Sequence, residues 1–364
     1  MRVLFASTRG AGHFGPLVPF LDAFTGAGHE VLVVGPPELD ARGYPFRPGA
    51  SPPEDVLGPI WASMGSIPPA QGEVVVVGTI FARLNVEAML PTVRAAIEEW
   101  LPDLVLRESS EFASAVAADE FEIEHARVAV GLHTVEEGSL AFASPALEER
   151  RPGLVARIAN TEFLTCWPES VDPRSGGVRR FREPLTQVAT KPLPDWWHGD
   201  DRPLVYVTFG SVAAQLAPTA VVYERALEAM TEIDARVLLT VGVGANLELT
   251  RVPPNVHVER WVPQADVLGH AAVVVGHGGS GTTLGALAAG VPLVVVPLFA
   301  DQPWNAARVA AVGAGIVAPI DGICAAVERV LGEESYAAAA RRVAAEMREH
   351  PHVDEYVAER ALRG

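Results

Sequence analysis

The chain has 364 residues, of which 49% are hydrophobic, and a formal net charge of −17 at pH 7. This length suits two domains with sizeable cores. The acidic balance, with a pI near 5.0, disfavours nucleic acid and anionic membranes as partners. Cys166 and Cys324 lie far apart in the sequence, which argues against a disulfide framework and against a cysteine metal site.

No secretory leader is evident, and we find no apolar run of the ~18 residues that a membrane span requires. We therefore expect a soluble, cytoplasmic protein without a membrane partner. Solenoid repeats and low-complexity tracts are not evident in the sequence either.

The first half alternates predicted strands and helices. A strand over Val3–Ser7 leads through a glycine loop to a helix from about Pro16 to Ala27. The stretch 36–72, rich in Pro and Gly, is typical of a loop. The remaining elements are predicted as strands at Glu30–Val34, Val74–Val77, Leu104–Leu106 and Val128–Val130, and as helices near Leu84–Trp100 and Glu111–Glu120.

The loop after the first strand carries a histidine and three glycines. Gly10, Gly12 and Gly15 form a G-x-G-x-x-G pattern, the fingerprint of dinucleotide-binding folds. Such folds place a carboxylate at the end of the second strand to hold the ribose, whereas this strand ends Val-Val-Gly-Pro over 33–36. NAD binding is therefore disfavoured. His13 lies at a strand-to-helix turn, where an imidazole titrating near neutrality suits general base catalysis.

The second half follows a Pro- and Trp-rich linker at about 191–203. Its predicted strands are Leu204–Phe209, Val237–Val241, Val256–Glu259, Val273–Val275 and Leu293–Val296, and its predicted helices include Leu284–Ala289 and a run from Ala337 to Leu362 broken near Pro351. Alternating strands and helices predict parallel sheets with right-handed crossovers. Two such sheets facing one another would leave a cleft for a ligand.

The segment 260–306 is the most informative part of the sequence. Trp261 offers a flat face for a base, and the Gly- and Thr-rich run 278–283 opens a helix whose N-terminal N–H groups suit a diphosphate. His277 ends the preceding strand, and Asp301-Gln302 follow the next one. Each feature alone is also compatible with packing or a solvated loop. Their joint spacing indicates a nucleotide-sugar site.

This segment resembles the donor-site signature of the family 1 glycosyltransferases, and in particular the bacterial enzymes that glycosylate antibiotics and other natural products. The resemblance extends along nearly the whole chain and implies an α/β GT-B fold, with two Rossmann-like doubly wound parallel-sheet domains facing a cleft. We expect an acceptor-binding domain at 1–190, a donor-binding domain at 191–345, and a C-terminal helix at 346–364 that crosses back to the first domain.

The resemblance also implies roles for individual residues. His13 matches the catalytic base, and Glu108 stands where an acidic residue, in many members Asp, orients it; Glu111 is a close competitor for that place. Donor contacts fall to Ser211, Trp261, Val262, Gln264, His277, Gly279, Ser280, Gly281, Thr282, Asp301 and Gln302. Phe14, Trp61 and Phe81 are candidates for the acceptor site.

The family transfers the sugar by a single inverting displacement, without a metal or other cofactor. Gly285 stands where many UDP-sugar users carry a glutamate that binds both ribose hydroxyls, which favours a dTDP-deoxysugar over a UDP-sugar. The expected partners are that nucleotide sugar and a small hydrophobic aglycone, with the protein a monomer or homodimer. Transfer to a lipid-linked acceptor and a catalytically silent partner protein are the alternatives; the sequence leaves the particular sugar, the aglycone and the acceptor atom open.

Overall fold

The computed structural model describes residues 1–174, 177–182, 192–210, 213, 220–243, 249 and 251–362. The chain forms two compact units. The first comprises Met1–Thr165, Arg174–Phe181 and Pro351–Gly364, and the second comprises Cys166–Pro173 and Arg182–His350. The first unit thus includes the C-terminal segment from Pro351. The second unit includes the short segment Cys166–Pro173, and the chain enters it again at Arg182.

A parallel sheet forms the centre of the first unit. Within the described residues it has seven strands in the order β3-β2-β1-β4-β5-β6-β7. The strands are β1 (Arg2–Ala6), β2 (Glu30–Gly35), β3 (Phe46–Pro48), β4 (Leu104–Glu108), β5 (His125–Val128), β6 (Phe163–Thr165) and β7 (Val178–Arg180). Continuous apolar runs suit β1 and β4 because helices cover both faces of a parallel sheet. The register pairs Ala6 with Arg107, so the turns that follow β1 and β4 leave the same edge.

The helices of the first unit lie between these strands. They are α1 (Ala11–Phe14), α2 (Val18–Gly26), α3 (Glu54–Ser63), α4 (Pro69–Glu73), α5 (Val86–Trp100), α6 (Ala113–Glu120), α7 (His133–Arg150) and α8 (Leu154–Ala159), with 3-10 turns at Gly15–Leu17 and Met64–Ser66. The predicted strand at Val74–Val77 is wrong, because Val74–Asn85 is a π-helical segment. It packs against α7, so tertiary contacts override the strand propensity of the valines. The stretch 36–72, predicted as loop, contains β3, α3 and α4.

A second parallel sheet forms the centre of the second unit. Its described strands have the order β10-β9-β8-β11-β12-β13. They are β8 (Leu204–Thr208), β9 (Arg236–Thr240), β10 (Val256–Glu259), β11 (Ala271–Gly276), β12 (Leu293–Val295) and β13 (Gly315–Val317). Gly276 pairs with Thr208 of β8 and with Val295 of β12. The turns after these three neighbouring strands therefore meet at one edge of the sheet.

The described helices of the second unit are α9 (Ala220–Met230), α10 (Gln264–Leu268), α11 (Ser280–Ala289), α12 (Gln302–Ala311), α13 (Ile323–Gly332) and α14 (Glu334–Glu349), with a 3-10 turn at Ile320–Gly322. The predicted strands of this half agree with the structure to within two residues. The helical run predicted from Ala337 to Leu362 is confirmed, with its break between α14 and α15 (Val353–Ala361). A proline at 351 lacks the N–H that would continue α14.

Helix α15 packs on the first unit. The Tyr356 ring lies edge-on to Phe20 and Phe181, with centroids 5.8 and 5.7 Å apart. Arg360 is 4% exposed and pairs with Glu124 and Glu162 of the same unit. A buried arginine with two carboxylate partners fixes the orientation of the helix.

One helical stretch among the described residues, Gln71–Trp100, has the length and composition of a membrane span. Its most apolar window has a mean hydropathy of 1.5, and 33% of that window is buried. The expectation that no apolar run of this length exists is therefore wrong by composition. Core helices of globular proteins share these properties, so this single stretch is weak support for membrane insertion.

Candidate active site

The side chains of His13 and Glu108 lie next to each other in the first unit. Gly10, with φ 108°, opens the turn from β1 to α1, a backbone conformation that favours glycine. His13 Nδ1 lies 3.2 Å from Glu108 Oε2, with the histidine side chain 26% exposed and the glutamate fully buried. The pair thus joins a partly accessible imidazole to a carboxylate that water does not reach.

The Glu108 carboxylate is held by groups from two turns. Thr8 donates to Oε1 from its backbone N–H at 3.2 Å and from Oγ1 at 2.8 Å, and the Ser110 N–H donates to Oε2 at 2.7 Å. Burial alone would raise the pKa of Glu108, but the charge of His13 and these hydrogen bonds outweigh it and lower that pKa. The carboxylate is therefore ionised and stabilises a positive charge on the imidazole.

Glu111, the competing carboxylate, has different partners. Its Oε1 accepts from the Ala113 N–H at 3.0 Å, and its Oε2 accepts from the Ser114 N–H at 2.9 Å and from the Ser114 hydroxyl. These bonds satisfy N–H groups at the start of α6. Burial raises the pKa of Glu111. The structure thus pairs Glu108 with His13 and gives Glu111 to a helix terminus.

A cavity of about 60 Å³ lies in the same unit. Its apolar wall includes Leu57, Trp61, Ile80, Phe81, Met89 and Phe112, and Thr8 and Glu111 add polar atoms. The Phe81 ring meets the His13 ring edge-on at 5.6 Å. Two of the three candidate acceptor residues therefore line a cavity beside the histidine. Phe14, the third, is 2% exposed and packs in the core.

In the second unit, the turn from β11 to α11 is built around glycines and His277. Within the described residues, no side chain caps the N-terminus of α11, so its first N–H groups remain available to an anion. The His277 ring occupies the space where Cβ atoms at Gly210 and Gly279 would lie, 2.9 and 2.5 Å away. Only glycine fits these two positions without displacing the ring.

His277 is neutral in this environment. Burial lowers its pKa to about 4, and its Nδ1 is buried without a hydrogen-bond partner among the residues that the structure describes. A neutral imidazole has one N–H donor and one acceptor nitrogen. A buried polar atom without a partner costs free energy, and a ligand donor or acceptor would offset that cost.

Further predicted donor residues lie on α11, at the start of α10 or directly before α10. Gln264, the first residue of α10, donates to Thr282 Oγ1 on α11 at 3.0 Å, and Trp261 is 63% exposed. Val262 lies between them and is partly buried, and Gly281 is exposed on the first turn of α11. Ser211 lies outside the described residues.

The predicted sugar-binding pair, Asp301 and Gln302, is held by hydrogen bonds to neighbouring residues. Asp301 Oδ2 accepts from Ser280 Oγ at 2.9 Å. Gln302 is 3% exposed, and its Oε1 accepts from the backbone N–H groups of Leu298 and Phe299 at 2.8 and 2.9 Å. The pair thus links the turn after β12 to the start of α11.

Comparison with known proteins agrees with this geometry. The N-terminal and C-terminal domains of the Erythromycin biosynthesis protein CIII-like family match residues 71–210 and 224–362. The chain is 31% identical over 372 residues to the L-demethylnoviosyl transferase of Streptomyces niveus, covering 96% of this chain and 95% of that protein. The chain belongs to this family. It is a natural-product glycosyltransferase of the bacterial family 1 type, as the sequence motif predicts.

Two solved structures show the same fold for this glycosyltransferase. SnogD from Streptomyces nogalater matches with a TM-score of 0.79 and 28% identity, covering 100% of this chain and 99% of that one. SsfS6 from Streptomyces sp. SF2575, complexed with thymidine diphosphate, matches with a TM-score of 0.76 and 25% identity over 100% and 99% of the chains. The predicted GT-B fold, with two parallel-sheet α/β domains, is confirmed.

Sequence reasoning missed Asn305 and Arg107. Asn305 is fully buried, and its Nδ2 donates to the Gly278 carbonyl at 2.9 Å and to Asp301 Oδ2 at 2.8 Å. It connects the glycine turn of this glycosyltransferase to the predicted sugar-binding pair. Its place one turn into α12 after Asp301 is a sequence signal that could have found it.

Groups of three or more His, Cys, Asp or Glu that could hold a metal are not found in the described part of the chain.

Proposed function

We propose that this glycosyltransferase moves a deoxysugar from a dTDP-sugar, or less readily a UDP-sugar, to a hydroxyl of a hydrophobic natural-product aglycone, with inversion at the anomeric carbon. The observation that carries the proposal is the His13–Glu108 pair, 3.2 Å apart, beside a cavity lined by Trp61 and Phe81. A base next to an apolar cavity suits deprotonation of a hydroxyl on an apolar acceptor.

The pair supports a division of labour between its two members. His13 Nδ1 faces the Glu108 carboxylate at 3.2 Å, so Nε2 would be the nitrogen that takes the acceptor proton. As the bond from the acceptor oxygen to the anomeric carbon forms and the bond from that carbon to the diphosphate breaks, the proton moves to Nε2 and the ring becomes positively charged. The buried carboxylate stabilises that charge and holds the ring orientation, as a carboxylate does in other base–acid pairs.

The donor is proposed to bind in the second unit. The uncapped N-terminus of α11 and the neutral His277 would stabilise the charge that builds on the leaving diphosphate. Trp261 would stack on the base, with Val262 and Gln264 near the base or ribose, and Asp301 and Gln302 would contact the sugar. Ser211 is retained from the sequence as a further candidate for the phosphates.

The preference for dTDP rests on one position. Gly285, buried in α11, presents no carboxylate to a ribose, and a deoxyribose has no 2′-hydroxyl to bind there. The thymidine diphosphate in the related SsfS6 structure supports the same nucleotide. The proposed reaction uses one base and forms no covalent sugar–enzyme intermediate, so it is a single displacement. A single displacement inverts the anomeric carbon.

Competition between donors tests this proposal. The purified protein is titrated calorimetrically with dTDP and UDP, and an aglycone panel is incubated with dTDP-glucose or UDP-glucose. We expect tighter binding of dTDP and a product whose anomeric proton coupling shows inversion. Equal turnover of both donors would contradict the dTDP preference, and a retained configuration would contradict the single displacement.

We also propose that the protein acts in the cytoplasm without a resident metal, so that turnover survives dialysis against EDTA.

A second candidate is transfer to a lipid-linked acceptor, to which the helical stretch Gln71–Trp100 gives weak support because its most apolar window has a mean hydropathy of 1.5. Flotation with liposomes of phosphatidylglycerol and phosphatidylethanolamine tests it. The aglycone proposal expects the protein to stay in the dense fraction, whereas co-flotation together with transfer to a polyprenyl phosphate would replace that proposal.

A further inference from the structure

Arg107 is a fully buried cation on a central strand of the first sheet. It precedes Glu108 in β4, and its Nη1 donates to three carbonyl oxygens of the turn that follows. The acceptors are the carbonyls of Glu108 at 3.3 Å, Ser109 at 3.0 Å and Glu111 at 3.0 Å. One nitrogen thus fixes the path of the backbone from 108 to 111.

Packing alone does not explain this arginine, although its guanidinium carbon lies over the Phe112 ring at 5.9 Å from the centroid. Its Nε and Nη2 are buried without a hydrogen-bond partner in the described part of the chain, and buried unpaired donors cost free energy. A methionine would fill similar volume without that cost. The charged and titratable groups that face Arg107 are Glu108, Glu111, Glu136, Arg127 and His125. Two roles are therefore open to the guanidinium, neutralising carboxylates and holding the turn.

The turn controls the Glu108 carboxylate directly. Its Ser110 N–H donates to Glu108 Oε2, the same oxygen that contacts His13 Nδ1. The Glu111 N–H donates to the Glu108 carbonyl at 3.1 Å. If the backbone at 108–111 moves, the carboxylate and one of its donors move together.

We propose that Arg107 is a positioning residue, whose guanidinium holds the 108–111 turn so that the Glu108 carboxylate stays in contact with His13. The inference rests on the proposed role of His13 and Glu108, and it adds the residue that keeps the pair assembled. Arg107 itself does not touch the reacting atoms.

A double-mutant cycle measures how far the contact between Glu108 and His13 depends on Arg107, and Arg107→Lys, which keeps the charge, separates holding the turn from supplying charge. The pH midpoint of the His13 ring resonance is measured by ¹⁵N NMR, assigned with His13→Asn, in four proteins: the wild type, Glu108→Gln, Arg107→Met and the double variant. We expect Glu108→Gln to lower the midpoint when Arg107 is present, because an opposite charge nearby favours the protonated ring. When Arg107→Met is already in place, we expect the same change to have about half that effect or less. The direct influence of the Arg107 charge on the His13 midpoint cancels, because the residue at 107 is the same in the two proteins of each pair that differ by Glu108→Gln.

An undiminished effect of Glu108→Gln in the protein that carries Arg107→Met would overturn the proposal. Should Arg107→Met fail to fold, Arg107→Lys decides by the same criterion, because its ammonium ends one bond short of the Nη1 position. Arg127→Met is the matched control, since Arg127 is also buried but donates to Thr161 and Ala159; it should leave the effect intact. The readout needs no sugar transfer, so a failed transfer assay and a failed cycle remain distinguishable.

Discussion

Two turns of this glycosyltransferase have the same local design and different electrostatics. The turn after β1 and the turn after β11 each leave the carboxyl end of a parallel strand, use glycines, and carry a histidine. His13 meets a buried carboxylate, whereas His277 packs against Gly210 and Gly279, and burial lowers its pKa to about 4. The first histidine can therefore carry a proton, and the second serves as a neutral hydrogen-bonding group.

Helix length does not separate the two turns. Helix α1 continues through the 3-10 turn Gly15–Leu17 directly into α2, so that helical backbone runs from Ala11 to Gly26, whereas α11 has 10 residues. The field at a helix N-terminus acts mainly within the first turn, so both turns could attract an anion on this ground alone. A glycine turn before a helix therefore does not define an anion site by itself; the partner of the histidine decides its chemistry.

The largest expected effect comes from removing the proposed base. His13→Ala should lower kcat by about 10²–10⁴-fold, because no group then takes the acceptor proton, while dTDP affinity stays at the wild-type value. Steady-state kinetics with dTDP-glucose and an aglycone measure kcat, and calorimetry measures the affinity for dTDP. Near-normal turnover would show that the two histidines do not differ in the way proposed.

A methyl group at the second turn should affect binding of the nucleotide. Gly279→Ala places a Cβ 2.5 Å from His277 Nε2, so the ring or the turn shifts at a cost of about 1–3 kcal/mol. We expect dTDP affinity to fall by about 10-fold or more. Gly332→Ala is the control, because nothing lies within 4 Å of the added atom there. Unchanged dTDP binding in Gly279→Ala would remove this turn from the donor site.

The opposite pKa shifts of two buried carboxylates can be tested by measuring stability at two pH values. Burial raises the pKa of Glu136 to about 7 from 4.5, whereas His13 helps to lower that of Glu108. The Glu136 contribution to stability is therefore fully present below pH 4.5 and lost as pH rises through 7. Glu136→Gln should be more stable than wild type at pH 8 by about 3 kcal/mol and similar to it near pH 4.5. Urea unfolding at both pH values measures this, and an equal difference at the two would contradict it.

The side chain of Asn305 supports the second turn without lying at its tip. Asn305→Ala removes donors to the Gly278 carbonyl and to Asp301, which should cost about 1–3 kcal/mol of unfolding free energy and weaken binding of dTDP-glucose more than that of dTDP. Urea unfolding and calorimetry check the two statements. Asn160→Ala, an exposed change at the end of α8, serves as control; an equal loss there would deny Asn305 a specific role.

Most of the longer strands, the glycine turns and both histidines followed from local sequence, whereas the three-residue strands β3, β6, β7 and β13 did not, and the predicted strand Val128–Val130 overlaps β5 only at Val128. Runs such as Val273–Val275 and the short spacing from strand to glycine are properties of neighbouring residues, so periodicity finds them. The same reasoning misplaced Val74–Val77 as a strand, because the packing of that segment against α7 is a contact between residues far apart in sequence. It also missed the elements within 36–72, where proline and glycine hide short helices.

The sequence by itself determined two α/β halves, a donor-type motif and a histidine after the first strand. Only the tertiary structure chose Glu108 over Glu111 as the partner of His13, and only it brought Asn305 to the glycine turn and Arg107 to the 108–111 turn. The reason is that β1 and β4 are neighbours in the sheet although Thr8 and Glu108 are 100 residues apart in the chain. The direction of a buried side chain between such strands is set by packing, which sequence spacing does not encode.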